Sequence, residues 1–276
     1  MSFAAHQYIE LISLGIGIGA YGTLIGAGGG FVLMPALLLL YPNQSPDQLT
    51  SISLAVVFFN AMSGSEAYAR MKRIDYRSGL AFAAAAVPGS ILGALNTSYI
   101  PRRPFDIIFG VLLIAAALFL ILRPKPKTSS SSAGRPLTHR TVRKITDIHG
   151  VTYSYTFNPV LGMGVSTFVG YVSSLLGIGG GIIHVVALSY LLNFPVHVAT
   201  ATSHFILAII ALSATVTHVM TGTIQHGVHQ IIALGFGVVI GAQIGARLSD
   251  HFKSRWIIRS LAVALVLVGI RILVAK

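Results

Sequence analysis

Apolar residues run along this chain in long stretches separated by short polar or glycine-rich breaks, five on each side of a polar segment. In the first half they cover roughly 8–25, 29–41, 48–69, 78–98 and 105–122. In the second they cover roughly 158–176, 180–192, 197–220, 228–248 and 256–274. Runs of this length read as membrane-spanning α-helices rather than the shorter alternating strands of a barrel. The second stretch of each half is the exception. At 1.5 Å per residue it reaches about 20 Å, short of the ~30 Å hydrocarbon core, so the first two stretches of each half predict a helical hairpin broken at glycines. The fold class is an all-α polytopic membrane protein: two repeats, each a glycine-broken hairpin plus three transmembrane helices.

Composition strengthens that reading. Of 276 residues, 54% are hydrophobic and 9% charged, against about 25% charged in soluble domains. The absence of cysteine excludes disulfides, thiolate metal sites and iron–sulfur clusters. No set of residues reads as catalytic or metal-binding, and no cofactor is expected. The start, "MSFAAHQYIELISLG", has neither a basic n-region nor a cleavage site, so no removable signal peptide is expected.

Between Arg123 and Thr146 the chain turns Ser/Pro/Lys/Arg-rich, which predicts a flexible basic linker. The expected domains are 1–123, a first membrane repeat; 124–154, the linker; and 155–276, a second repeat. Motifs recur in order across the linker: "GAGGG" (26–30) and "GIGGG" (177–181); "SPDQLTSIS" and "FPVHVATAT", setting Pro46 on Pro195 and Ser53 on Thr202; "RIDY" and "TIQH"; "PGSILGA" and "IGAQIGA". An internal duplication follows.

Charge gives the orientation. With the 70–77 turn, the linker and the 247–259 segment in the cytoplasm, only Arg102, Arg103, Arg271 and Lys276 of the 19 Lys and Arg lie outside. The positive-inside rule accounts for the net charge of +12 without any nucleic acid partner. "RIDY" then lies inside and "TIQH" outside, so the repeats are inverted, as in many secondary transporters. The expected location is the cell inner membrane, with both termini outside and the linker cytoplasmic.

Non-helical backbone at membrane depth is tolerated where it is buried in protein or lines a wet site. Each glycine knot is therefore expected near the midplane. The helix that follows brings unpaired N–H groups and about half a positive charge to that point, which suits an anion. This marks Gly28, Gly29, Gly30, Gly179, Gly180 and Gly181 as substrate-binding. The pairs Gly89/Gly93 and Gly241/Gly245 read instead as close helix contacts.

These motifs, "GAGGG…P" and "GIGGG", each followed by a Pro-xx-small-xx-Ser/Thr segment and a "RIDY" or "TIQH" turn, resemble the sulfite exporter TauE/SafE family over nearly the whole chain outside the linker. The resemblance implies transport of small sulfur oxyanions or organosulfonates such as sulfite, sulfoacetate or thiosulfate, and is compatible with proton coupling. One departure is that Pro35 after the first knot has Val186 as its counterpart, with His184 where the first half has Leu33.

Polar residues at membrane depth face partners. Ser53, Asn60, Thr202 and Ser203 are expected to line the substrate site, a hydroxyl bonded to its own helix being the rival reading. His184, His204 and Gln243 are candidates for proton coupling or substrate contact. The spacing of His197, His204 and His218 puts them on one helix face, and Glu66 is set to pair with Arg70 at i+4. The leading function is a secondary anion transporter, with export implied by the family resemblance. The alternatives are an anion channel without proton coupling and a haem protein, since His204 and His218 lie about 21 Å apart along a helix. Nothing resembles a P-loop. A homodimer is compatible with the sequence.

Overall fold

The computed structural model describes residues 5–26, 28–122, 141–248 and 254–274. Helices α1 (Ala5–Ile25), α2 (Gly30–Leu40), α3 (Pro46–Arg70), α4 (Tyr76–Thr97) and α5 (Arg102–Leu122) form the first half. A hairpin of β1 (Thr141–Thr146) and β2 (Thr152–Phe157) leads into α6 (Pro159–Leu175), α7 (Gly181–Leu191), α8 (Val196–Met220), α9 (Val228–Leu248) and α10 (Ser254–Val274). The starts are written locally. Ser45 and Gln48 form a capping box on α3 with Pro46 in its first turn, and Asn158 caps α6 ahead of Pro159. The last turn of α7, Ala187–Leu191, is π-helical, a widening that the apolar pattern does not encode.

Four described helices are long and apolar enough to cross a membrane: His6–Ile25 within α1, α4, α8 and α9. Their outward faces carry exposed apolar side chains such as Leu92, Leu212, Ile232 and Phe236, the surface that lipid covers. Buried apolar side chains of α1, α2, α3, α5 and α9 form the main core.

The helices pack across the two halves. α1 lies on α9, α4 on α6, α3 on α8 and α5 on α10; α3 also meets α9, and α4 meets α8. Exchanging corresponding helices of the halves turns the α1–α9 contact into α6–α4 and α3–α9 into α8–α4.

The two closest contacts are made by small residues. A Cβ at Gly15 or Gly19 would run into the carbonyls of Leu234 or Val238, and one at Gly237, Gly241 or Gly245 into those of Ile12, Ile16 or Ala20. On the other pair, Gly89 and Gly93 meet the carbonyls of Thr167 and Tyr171, and Gly170 meets that of Ala86. Backbone approach this close is the membrane packing mode of small residues. Gly241→Leu is therefore expected to lower unfolding temperature in detergent, with overpacking of about 1–3 kcal/mol or more. Gly17→Leu, on an open face of the facing helix α1 with nothing within 4 Å, serves as the control; equal stability of the two variants would contradict this packing.

The β-hairpin is the clearest departure from the sequence reading, in which basic and Ser/Pro-rich composition extended a flexible linker to residue 154. Residues 141–157 instead pair as an antiparallel ladder, Thr141 opposite Phe157 and Thr146 opposite Thr152. Alternation supplies the reason: Tyr153, Tyr155 and Phe157 fall on one face, and Tyr155 and Phe157 are buried against Phe82 and Phe194. The rest of the expected linker, through residue 140, lies outside the described residues.

Polar contacts fix the hairpin to the α3–α4 turn. The Arg73 guanidinium reaches Asp147 at 3.5 Å with both side chains buried, the Tyr155 hydroxyl donates to Asp75 at 2.8 Å, and the Ile148 N–H donates to the Met71 carbonyl. Asp75 also caps α4 through the Ser78 N–H. Elsewhere, Asp47 at the start of α3 meets His218 of α8 at 3.5 Å and accepts from Thr223.

Candidate functional site: two facing glycine knots

Each half leaves its first helix through a knot with the same backbone signature. Gly26, Gly28 and Gly29 have φ of +84°, +71° and +76°; Gly177, Gly179 and Gly180 have +69°, +71° and +73°. A side chain in this left-handed region costs about 1–2 kcal/mol per position, so three such turns in a row select glycine. Gly29 and Gly180 are the N-caps of α2 and α7, and neither start carries a side-chain cap.

The knots touch each other. A Cβ on Gly30 would collide with the Ile178 carbonyl, and Cβ atoms on Gly28 and Gly179 would both strike the same pair, Val57 of α3 and Leu207 of α8. Each knot also rests on the opposite half: Gly26 against Thr200, and Gly177 against Thr50. The six glycines expected at the site thus lie together, and all are buried.

The helix contacts correct the register of the repeat. α3 runs Pro46–Arg70 and α8 runs Val196–Met220, which sets Thr50 on Thr200, Ser53 on Ser203 and Val57 on Leu207. Pro46 thus matches Val196 rather than Pro195, because Pro46 is the first helical residue of α3 whereas Pro195 is the N-cap of α8. Ser203, not Thr202, is the counterpart of Ser53. Thr202 turns to the α3–α4 loop, where its hydroxyl accepts from the Asp75 N–H at 3.0 Å.

Ser53 and Ser203 reach the second knot but use their protons on its backbone. Ser53 donates to the Gly177 carbonyl at 2.5 Å and Ser203 to the Gly181 carbonyl at 3.0 Å. They brace the loop. Asn60 is placed differently. Its Oδ1 accepts from Thr23, while its Nδ2, 3.5 Å from where a Cβ would stand on Gly29, has no hydrogen-bond partner.

Three residues absent from the sequence expectation have the same property. Thr50 Oγ1 lies 3.2 Å from the Cβ position of Gly177, Ser173 Oγ presses on that of Gly180, and Ser174 is its neighbour; all three hydroxyls are buried and without a partner. A signal for them exists in the "TSIS" and "TATS" segments, where Thr and Ser recur at i, i+3 in both halves, and in the Ser173–Ser174 pair one turn before the knot.

The other candidates separate. His204 is fully buried beside the backbone of Gly26 and Thr200, edge-on to Tyr68 at 5.4 Å, with neither ring nitrogen in a hydrogen bond of ordinary geometry. The Tyr68 hydroxyl donates to the Thr23 carbonyl, joining this histidine to the Thr23–Asn60 pair through the ring contact. His184 is buried and shares a hydrogen bond with Ser166 at 3.2 Å. Gln243 does not join the knots; its amide donates to the carbonyl and hydroxyl of Ser63 at 2.9 Å, tying α9 to α3. His197 is exposed in the first turn of α8, so it does not share the buried environment of His204 and His218. Glu66 and Arg70 pair as their spacing requires.

Among the described residues the knot glycines face no carboxylate, lysine or arginine side chain. The buried ones are Arg73, Asp75 and Asp147, all spent at the hairpin. What the knots offer is backbone N–H, hydroxyl and amide groups in a dry setting, a donor set that solvates an oxyanion without a formal counter-charge.

Comparison with known proteins bears on the family of the chain. The chain is 30% identical to the probable membrane transporter protein YunE of Bacillus subtilis, over 97% of each chain. It is 26% identical to the probable membrane transporter protein MJ0441 of Methanocaldococcus jannaschii, over 77% of this chain and 73% of that one. It is also 26% identical to the probable membrane transporter protein YdhB of Bacillus subtilis, over 88% and 89%. No solved structure is significantly similar to it. The family model described as sulfite exporter TauE/SafE matches residues 11–272, and with the helical architecture around it the chain belongs to that family of membrane transporters, not to an enzyme family.

Proposed function

We propose that this protein is a secondary transporter that exports small sulfur oxyanions or organosulfonates, such as sulfite or sulfoacetate, across the cytoplasmic membrane. The anion is held at the midplane between the starts of α2 and α7. The observation that carries this reading is the meeting of the two knots amid buried polar atoms that lack partners: Asn60 Nδ2, Thr50 Oγ1 and Ser173 Oγ. Such groups are costly in a dry interior unless something they can solvate visits them.

The two halves, 1–123 and 155–276, move as inverted repeats in alternating access, with the 124–154 connection in the cytoplasm and both termini outside. The exchange of packing partners between corresponding helices supports this, as does the joint contact of the hairpin with the α3–α4 turn and Phe194. Protons are exchanged at His204, with His184 as the second group within reach of the knots.

Proteoliposomes test the reading. Sulfite loaded inside is expected to leave saturably, faster when an imposed pH gradient drives it, and the His204→Gln variant is expected to lose that dependence. Flux indifferent to the gradient in the unmodified protein would make it a channel, and flux equal to empty liposomes would overturn the proposal.

A further inference from the structure

The end of the α3–α8 pair remote from the hairpin carries chemistry that the knots do not use. We infer that Asp47 and His218 form a further proton site there, and that a proton on His218 favours opening of that end of the molecule. The inference adds to the transport reading above and rests on its alternating access between the two halves.

Asp47 lies in the first turn of α3 and His218 in the last turn of α8. Nδ1 of His218 stands 3.5 Å from the Asp47 carboxylate, whose other oxygen accepts from the Thr223 hydroxyl at 3.0 Å. One residue of the first half is thereby tied to two of the second. Asp47 is also one helical turn before Thr50, whose hydroxyl lies beside Gly177 of the second knot, so a shift of the pair reaches the knot through a single turn. Exchanging the halves puts His197 on Asp47 and Tyr68 on His218. The hairpin end therefore has no carboxylate–histidine counterpart of this pair, and the two ends are closed by different chemistry.

The two protonation states fit this packing unequally. Each helix end favours the charge placed on it, a carboxylate at the start of α3 and a cation at the end of α8. His218 is 1% exposed, and its Nε2 is buried without a hydrogen-bond partner. With Nδ1–H turned to the carboxylate, Nε2 is a bare lone pair, which a dry interior tolerates better than an orphaned donor. A proton taken from water adds to that lone pair and completes an ion pair with Asp47. It also creates an N–H with no acceptor, which is costly for as long as the packing stays closed. Exposure of this end to water relieves the cost. Among the described residues Asp47 is the charged group that acts on the imidazole. α4, which packs here through Ala94 against Leu54 and Ala214, has no titratable residue between Ser90 and Thr97, and His229 of α9 is engaged with Tyr8 of α1.

Because the chain has no cysteine, a single introduced thiol reports the opening. Ala214→Cys places it one turn before His218, in the buried contact with Leu54 and Ala94, and Met220→Cys, at a position 83% exposed, is the reference for thiol chemistry. The full-length protein in detergent, with no transported anion, is labelled with a methanethiosulfonate reagent at about pH 5.5 and about pH 8, on either side of the ordinary histidine value. The rate at 214 relative to that at 220 is expected to be roughly tenfold higher at the lower pH. His218→Asn keeps a donor for Asp47 but takes up no proton, and is expected to abolish the increase; Asp47→Asn is expected to move it about one pH unit lower. No increase with both residues intact, or an equal increase in His218→Asn, would overturn the proposal. Titration of the histidine ring nitrogens by NMR checks it independently of the thiol. The signal missing from His218→Asn is expected to move between about pH 5 and about pH 8, and a stationary signal would overturn the proposal as well. Neither measurement involves an anion, so a failure here and a failure of sulfite export are separate results.

Discussion

A Gly179→Val variant is expected to insert into the membrane and to lose anion binding altogether. Position 179 has φ of +71°, where a β-branched residue is a genuine outlier, at a cost of about 1–2 kcal/mol before any contact is counted. The added Cβ would also stand 2.6 Å from Val57 Cγ1 and 2.9 Å from Leu207 Cδ1. Both effects are relieved in the same way, by moving the knot backbone, and that movement takes the N–H groups away from Asn60 and Thr50. The apolar content of the helices is untouched, so insertion is unaffected. Size-exclusion in detergent measures folding, and the stabilisation of the protein by methanesulfonate or sulfite measures binding. Pairing the change with Val57→Ala removes the closer clash but neither the Leu207 contact nor the dihedral strain, so the double variant is expected to regain stability only in part. Wild-type affinity in Gly179→Val would mean that the knot backbone does not hold the anion.

The second large effect is expected at the hairpin, from Asp75→Ala. Asp75 receives the Ser78 N–H at 3.1 Å and the Tyr155 hydroxyl at 2.8 Å, with the Arg143 guanidinium 3.9 Å away. Its loss removes a helix cap, about 1 kcal/mol, and strands a buried hydroxyl, about 1–3 kcal/mol more. The variant is expected to unfold at lower temperature and to be cut within residues 141–157 by a protease that spares the parent. Unchanged resistance would show that the aromatic contacts with Phe82 and Phe194 hold the hairpin alone.

Tyr155 and Asp147 of this latch keep one protonation state near neutral pH. Burial, the Asp75 charge and the hydrogen bond to Asp75 push the Tyr155 phenol far above its ordinary value, so it remains a donor. At Asp147 burial acts to raise the pKa, but the N–H groups of Val151 and His149 and the Arg73 charge outweigh it and hold the carboxyl below its usual range. A depressed carboxyl contributes its stability above the unfolded-state pKa and loses it only as pH falls through the lower, folded value. Loss of the Asp147 contribution on acidification is therefore confined to conditions below the usual carboxylate range.

What the chain discloses without coordinates follows its strongest physical signals. Hydrophobic run length places every helix within a few residues, and glycine clustering locates both breaks, because consecutive left-handed turns have few solutions other than glycine. Finer matters were less legible. The register of α8 against α3 was read one residue off because a proline was aligned with a proline, although one is helical and the other a cap. Gln243 reads in sequence as a site amide, and its bonds to Ser63 show it as a tie between helices. The hairpin hid inside a basic, polar segment whose tyrosine alternation is short. Thr50, Ser173 and Ser174 are ordinary hydroxyls in sequence, and lack of a partner is a property that only three dimensions reveal.

The pairing of α1 with α9 and of α4 with α6 also bears on biogenesis. A nascent chain releases α1 into the bilayer long before α9 is translated, with Gly15 and Gly19 still waiting for the carbonyls they will cover. Assembly therefore cannot proceed half by half: α1 finds its seat only once α9 has been made, and translation of nearly all of the second half must precede closure of the transporter around that helix.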